Sequence, residues 1–346
     1  MGLHTIDPLS DHRWPDLVAR HPQASAFHQR SWLQALASTY GYQPLVLTSA
    51  PAGKPLCDGV VLCRVASWIT KTRLVSLPFS DHCEPLQGDV ARLPEFLQWL
   101  EAGCDGNLWS YVELRPLSLC PDGDSRLRIS QSYYWHTLDL SLPLEEIFRR
   151  MHKNSIQRRI RRGEREGLTH EVGRSDEMLD EFYRLLMKTR RRHRFFPQPR
   201  TWFRNLIGCV GNNLQIRLAR KNGIPIAALL TLRHRSSVIY KYGCSDQRFH
   251  HLAGMPFLFW RLIEESKASG ADEIDLGRSD LDNLGLITFK DRLGARKQLL
   301  RYYRYSPLGK PVTPPAWALQ PFRQICAILP DAVLRSAGRI LYKHLG

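Results

Sequence analysis

The chain contains no run of about 18 apolar residues, the length a helix needs to cross a bilayer. No transmembrane segment is therefore expected. Its first residues, Met1 to Pro8, lack the basic-then-apolar order of a secretory leader. A cytoplasmic protein is expected, with the inner face of the membrane as its nearest surface. The eight cysteines include no C-x-x-C pair, and no histidine pair stands at ligand spacing beside them. That excludes the common zinc patterns, and no metal site is expected. The thiols, such as Cys57 and Cys63 in an apolar run, read as buried and reduced. No repeat at a fixed period is present, which excludes solenoids and propellers. Acid is scarce: 33 Asp plus Glu stand against 49 Lys plus Arg, a formal net charge of +16. Such an excess attracts polyanions without choosing among nucleic acid, anionic lipid and phosphorylated substrates.

What is present is a folded chain. Hydrophobic residues make up 43% and charged residues 24% of 346 positions, enough for real cores and about two domains. The spacing predicts a helix over 32–40, capped by Ser31 and stopped by Gly41. Strands follow at 43–49 and 56–65, joined by Pro51-Ala52-Gly53-Lys54, with further strands at 74–78 and 108–114 around a helix at 93–102. A strand at 133–140 precedes a long basic helical region opened by Pro143 and broken near Gly163 and Gly167. Helices at 175–193 and 201–209 and strands at 214–221, 224–233 and 238–243 come next, with a hairpin turn at Asn222-Gly223. A helix at 256–269 and strands at 273–276 and 299–305 complete the pattern. This is a mixed α/β fold using one element order twice, over residues 1–140 and residues 141–306.

Three basic clusters stand out. Residues 147–163 hold Lys153, Arg158, Arg159 and Arg162 among seven cations and no acid. Residues 188–204 hold Arg192 among seven cations, interleaved with Phe195, Phe196, Trp202 and Phe203. Residues 290–304 hold six cations against Asp291. Cations mixed with aromatics suit phosphates or an RNA end, while solvated helix faces are the alternative use.

The most informative stretch is Asp275-Leu276-Gly277-Arg278-Ser279, followed by Gly285-Leu286-Ile287-Thr288-Phe289-Lys290 and Gly294-Ala295. A strand end followed by a tight turn is where α/β proteins place functional groups. Asp275 is read either as such a group or as a buried partner of Arg278. Upstream, Tyr240-Lys241-Tyr242-Gly243-Cys244-Ser245 ends another strand, which puts Tyr240 and Tyr242 on one face. Tyr242 either lines a cleft or packs in the core. Glu113, at a first-half strand end, either lines the cleft as a proton acceptor or pairs with Arg115. No Ser-His-Asp or Cys-His order presents itself, which favours direct transfer over a covalent intermediate.

These motifs resemble the second half of FemAB-type transferases, the Fem-like branch of the GNAT acyltransferases. Lys153–Gly167 and Tyr183–Pro199, with Thr189 before Arg192, are similar to the segment entering that family's second domain. Phe27–Trp32 and Leu77–Asp81 resemble the subgroup linked to exopolysaccharide and envelope loci. The resemblance covers about residues 14–305. It implies two GNAT-like domains facing a central cleft, with 307–346 packing back on the first, and an acyl or aminoacyl group moved to an amine of a cell-envelope or exopolysaccharide precursor, as relatives do with peptidoglycan precursors. The donor would be aminoacyl-tRNA or acyl-CoA, with no permanently bound cofactor. The family's lysine matches Lys290, whose ammonium suits the oxyanion that acyl transfer builds. Arg192, Trp202, Tyr240, Tyr242, Asp275, Arg278, Phe289 and Asp81 would bind substrate, and Lys153, Arg158, Arg159, Arg162 and Gly254 the donor phosphates. Only Gly254 fits the phosphate loop of acyl-CoA relatives, because Pro256 removes a donor. Gln198 and Trp202 stand where tRNA-dependent relatives carry Arg and Tyr. A possible tRNA, a lipid-linked precursor and an anionic membrane met by the C-terminal basic helix are the partners implied. That helix includes Phe322, Ile325, Leu329, Val333 and Leu341, and its other use is packing on the first domain. The rival class is a GNAT-fold protein without catalysis that holds an anionic glycan or nucleic acid.

Overall fold

The computed structural model describes residues 2–68, 71–87, 93–118, 127–307 and 329–345. Phe322, Ile325, Cys120 and Cys326 lie outside the described residues. The chain divides into two compact units. One holds the residues up to Ser132, those from Leu300 and those from Ala337; the other holds Tyr133–Leu299 and the stretch up to Ser336.

The first unit contains β1 (His4–Ile6), α1 (Arg13–Arg20), α2 (Arg30–Tyr40), β2 (Gln43–Thr48), β3 (Val60–Val65), β4 (Arg73–Ser76), α3 (Leu93–Asp105) and β5 (Val112–Leu114). Strand β6 (Arg128–Asp139) starts in it and continues in the second unit. The second unit then contains α4 (Leu144–Arg150), one π-helical turn (Lys153–Gln157), α5 (Arg158–Arg165), β7 (Thr169–Gly173), α6 (Asp176–Arg192) and α7 (Arg200–Val210). Next come β8 (Leu214–Lys221), β9 (Ile224–His234), β10 (Ser237–Ser245), α8 (Gly254–Ala268), β11 (Glu273–Asp280) and α9 (Leu284–Arg292). Strand β12 (Arg296–Tyr305) and helix α10 (Asp331–Leu345) close the described chain.

In the first unit the strand order is β1-β2-β3-β4-β5-β12, antiparallel except for the parallel β4–β5 pair. Leu47, Leu62, Leu74, Phe96, Leu100 and Val112 form its core. The β2–β3 connection turns where expected, with Gly53 at φ 76 and the Lys54 N–H donating to Pro51 O. Helix α2 stops at Gly41, which takes φ 71, but it begins two residues earlier than expected. Gln29 is its N-cap, and Ser31 lies inside the helix. The capping serine is Ser25, which closes a capping box with His28 on the short turn before it. The last turn of α10 is tied to this unit: Tyr42 Oη donates to Tyr342 O and Arg73 Nη2 to His344 O, both at 2.8 Å.

In the second unit the order is β6-β11-β10-β9-β8-β7. The β8–β9 hairpin pairs Lys221 with Ile224 across Asn222 and Gly223, which take φ 50 and 78. Its core gathers Ile226, Leu229, Ile274, Leu276, Leu258 and Leu262 between strands and α8. The basic region after Pro143 is not one long helix but α4, the π turn and α5. Gly163 does not break α5; a Cβ there would stand 3.0 Å from Phe257 Cβ, so glycine lets α5 and α8 approach closely.

Cys63, Cys83, Cys104 and Cys244 are buried, Cys209 is half-buried, and Cys57 is exposed rather than buried. Burial pushes the thiols of Cys63, Cys83 and Cys244 well above the ordinary thiol range. A Cys–His contact does form, Cys83 Sγ to His28 Nε2 at 3.4 Å, but a thiol held so firmly protonated is no nucleophile. Among the described residues, no helix is long and apolar enough to cross a membrane.

Candidate functional site

Strands β10 and β11 run parallel but pair at only three positions, Ser237–Glu273, Val238–Ile274 and Ile239–Asp275. Both continue, β10 to Ser245 and β11 to Asp280. Each bulges just past the last pair: β10 slips register between Tyr240 and Tyr242 against β9, and β11 between Asp275 and Arg278 against β6. A bulge bends its strand and sharpens its twist. With a bulge in each strand at the same level, the parallel neighbours diverge, and main-chain groups beyond Ile239 and Asp275 leave the β10–β11 ladder.

A knot of side chains holds the β11 bulge. Gly277 takes φ 69, a conformation that glycine adopts without strain. Asp275 is 2% exposed, and its Oδ1 accepts from the Gly277 N–H at 2.7 Å and from Trp135 Nε1 at 2.8 Å. Lys290, reached from α9, is equally buried. Its Nζ donates to Gly277 O at 2.9 Å and to Arg278 O at 3.0 Å. The Arg278 guanidinium lies 4.3 Å over the Tyr133 ring. Behind the bulge, His136 is fully buried, with Nε2 3.4 Å from Asp291 Oδ1. Its Nδ1 has no hydrogen-bond partner among the described residues. Burial first and the Lys290 charge second push this imidazole down to about 4, so it is neutral at ordinary pH.

A second locus precedes α8. Its N-cap, Ala253, takes φ 62 and supplies no side-chain cap. Gly254 packs against β9, where a Cβ would stand 3.1 Å from Ala227 Cβ. His250 gathers cations from two of the basic clusters. Arg192 Nη1 lies 3.2 Å from its Nε2, and Arg159 Nη2 donates to its main-chain oxygen at 3.1 Å. Ser245 Oγ lies 2.9 Å from the same Nε2, and Thr189 Oγ1 bridges to Ser245. Burial, then Arg192 and Arg159, lower the His250 pKa. Arg158 and Lys153 are exposed on the neighbouring turn, and Arg162 lies 3.7 Å from Glu166.

Tyr240 and Tyr242 do not share a face. The bulge at Lys241 sends Tyr240 against Phe259 of α8 and Tyr242 against Phe203 of α7. Trp202, fully buried, donates from Nε1 to Tyr242 Oη at 3.0 Å. Both belong to the packing of α7 on β10. Phe289 packs on Phe259, one residue from Lys290. Asp81 and Glu113 lie in the first unit. The Asp81 main-chain oxygen accepts from Tyr302 Oη at 2.6 Å. Glu113 is 3% exposed and ion-paired with both Arg115 and Arg304. Burial raises its pKa, but the two guanidinium charges outweigh this and hold it below the carboxylate range. A carboxylate so held is a weak base, contrary to the proton-acceptor role expected of it.

The sequence patterns thus lead to Lys290, Asp275 and Gly277 together, and to Arg159 and Arg192 together. Trp135, His136 and His250 carry no local motif; only their partners, up to 140 residues away in the case of Trp135 and Asp275, mark them.

Residues 150–290 match the family model described as an acetyltransferase (GNAT) domain. This stretch is similar to a GNAT domain. No curated protein matches the chain. FemX is similar in structure, with 13% identity, TM-score 0.66 and coverage of 94% of this chain and 99% of that one. So is the C-terminal domain of a putative lysylphosphatidylglycerol synthetase from Agrobacterium fabrum, with 15% identity, TM-score 0.58 and coverage of 89% and 94%. A tandem GNAT protein from the clavulanic acid biosynthesis pathway follows at 12% identity, TM-score 0.54 and coverage of 90% and 99%. At these identities the likeness is one of fold: mixed α/β with two GNAT-like domains, in agreement with the Fem-like resemblance. The strand divergence, Lys290 with Asp275 and Gly277, and the His250 locus fall within the matched stretch, whereas Tyr133, Trp135 and His136 precede it.

Proposed function

We propose that this chain is an N-acyltransferase that moves an acyl or aminoacyl group from a phosphate-bearing donor to an amine of a cell-envelope or exopolysaccharide precursor. The observation that carries the reading is the divergence of β10 and β11 beside the buried Lys290 charge. An extended donor arm in that opening finds main-chain groups released from the ladder. Arg159, Arg192 and the uncapped start of α8 suit its phosphates. Lys153, Arg158 and Arg162 extend the same positive surface.

Transfer is direct. The neutral amine attacks the donor carbonyl, a C–N bond forms, and the thioester C–S or ester C–O bond breaks. The amine's proton leaves through water as the thiol or hydroxyl leaving group takes one up. Negative charge passing through the carbonyl oxygen is stabilised by the Lys290 charge in a site of low dielectric. The donor is acyl-CoA or aminoacyl-tRNA. The second reading, a binder of anionic glycan or nucleic acid, draws on the commitment of Lys290 Nζ to two carbonyls.

Thermal shift with a panel of acyl-CoAs and with charged and uncharged tRNA tests the reading. Stabilisation by one donor class, followed by transfer to an amine that Lys290→Gln abolishes, is expected. Equal stabilisation by charged and uncharged tRNA, or stabilisation by an anionic glycan added to the same panel, with no transfer from any donor, would establish the binder instead.

A further inference from the structure

A pocket of about 740 Å³ lies between α6, the start of β9, the turn after β10 and the start of α10, all in the second unit. It shares no lining residue with the β10–β11 opening or with the His250 locus. Five cations line it, Arg184, Lys188, Arg191, Arg248 and Arg335, against Glu181, Asp246 and Asp331.

The acids are already engaged. Glu181 is held by Arg220, Asp246 by both Lys188 and Arg248, and Asp331 by Arg191. Arg335 makes no hydrogen bond or ion pair among the described residues, its charge acting only on the Tyr183 phenol, and Arg184 has only the engaged Glu181, 3.7 Å away. Two guanidinium groups therefore face the pocket with their forks uncommitted, the geometry that suits phosphate oxygens. The remaining wall is largely apolar: Ile224, 54% exposed, with Pro225, Pro330, Leu185, Met187 and the Tyr183 ring. Paired guanidinium forks beside exposed apolar surface fit a ligand that is anionic at one end and a flat ring at the other. The volume exceeds the needs of a bare phosphate and falls in the range of small-molecule sites.

We propose that this pocket binds a nucleotide, its phosphates on Arg184 and Arg335 and its base against Ile224 and Pro225. The same chemistry is offered by a free mononucleotide and by the terminal nucleotide of an RNA strand. The site is separate from acyl transfer and stands whether or not that reading holds.

The test is calorimetric titration of the full chain with ATP and with a short single-stranded RNA. The Arg184→Gln/Arg335→Gln double variant should bind about tenfold or more weakly, the loss of two charge-assisted contacts. Both positions are exposed, so its melting temperature should stay near that of the parent. ATP binding weakened by the double variant supports a free nucleotide. RNA binding alone weakened, with a salt slope smaller by about 1.4, supports a strand end. Lys290→Gln should leave either binding unchanged. No binding of either probe overturns the proposal, as does binding that Arg192→Gln removes and the double variant does not.

Discussion

Lys290 Nζ donates to the main-chain oxygen of Gly277 at 2.9 Å, so a buried charge on α9 fixes the bulge that turns β11 away from β10. The side chain proposed to stabilise the oxyanion also shapes the opening that would admit the donor. Lys290→Met leaves two buried carbonyls without their donor, at about 2–4 kcal/mol from the cost of unpaired buried groups. Turnover should fall further, by about 10²–10³-fold. Denaturant unfolding and a transfer assay on the same preparation separate the two losses. A variant that is destabilised yet turns over normally would remove Lys290 from the chemistry.

Gly277 adopts φ 69 between two residues of the knot. Gly277→Ala places a Cβ in the left-handed region and should cost about 1 kcal/mol. Donor affinity should fall as well, because Asp275 loses its aligned N–H. Gly270→Ala, at φ 75 beyond α8 with open space around a Cβ, is the control: equal stability loss with unchanged donor binding is expected.

Glu113, Arg115 and Arg304 form a buried triad in the first unit. Glu113→Gln strands two guanidinium groups and should destabilise by about 3–5 kcal/mol, the usual result of breaking a buried pair. The folded state holds this carboxylate below its ordinary pKa, so its contribution is present above the unfolded value of 4.5 and is lost as pH falls through the folded one. The stability gap between parent and variant should therefore shrink below pH 4.5 in equilibrium denaturation. A gap that widens on acidification would contradict the assignment.

His136 is pushed down to about 4 from 6.5. The unfolded chain takes up this proton first, so the fold loses stability as pH drops from 6.5 to about 4. His136→Phe removes that proton uptake, and its stability should depend less steeply on pH in this window. Histidine NMR resonances offer a direct check, with the His136 ring expected to remain neutral at about pH 5.

Local conformational demands made much of the fold readable. Gly41 past a helix and Asn222-Gly223 between strands each meet a φ that few other residues accept. The Asp275-to-Lys290 motif pointed to a true cluster for the same reason, since Gly277 and the lysine serve one bulge. The bulge at Lys241 was not readable, because strict alternation is the default and nothing near Tyr240 signals an extra residue. For Glu113 the pairing with Arg115 was readable two positions away, but Arg304, its second partner, was not, because it lies 191 positions along the chain. His250 escaped notice because it becomes a junction only when α5 and α6 converge on it.

The placement of the thiols gives the molecule two internal clocks. Cys63, Cys83 and Cys104 are sealed in the first unit, and Cys244 is sealed in the second. A small alkylating reagent reaches exposed Cys57 at once and the sealed thiols only when their surroundings open. Mass spectrometry of timed labelling would read how often each unit breathes, and whether a ligand quiets one unit while leaving the other as it was.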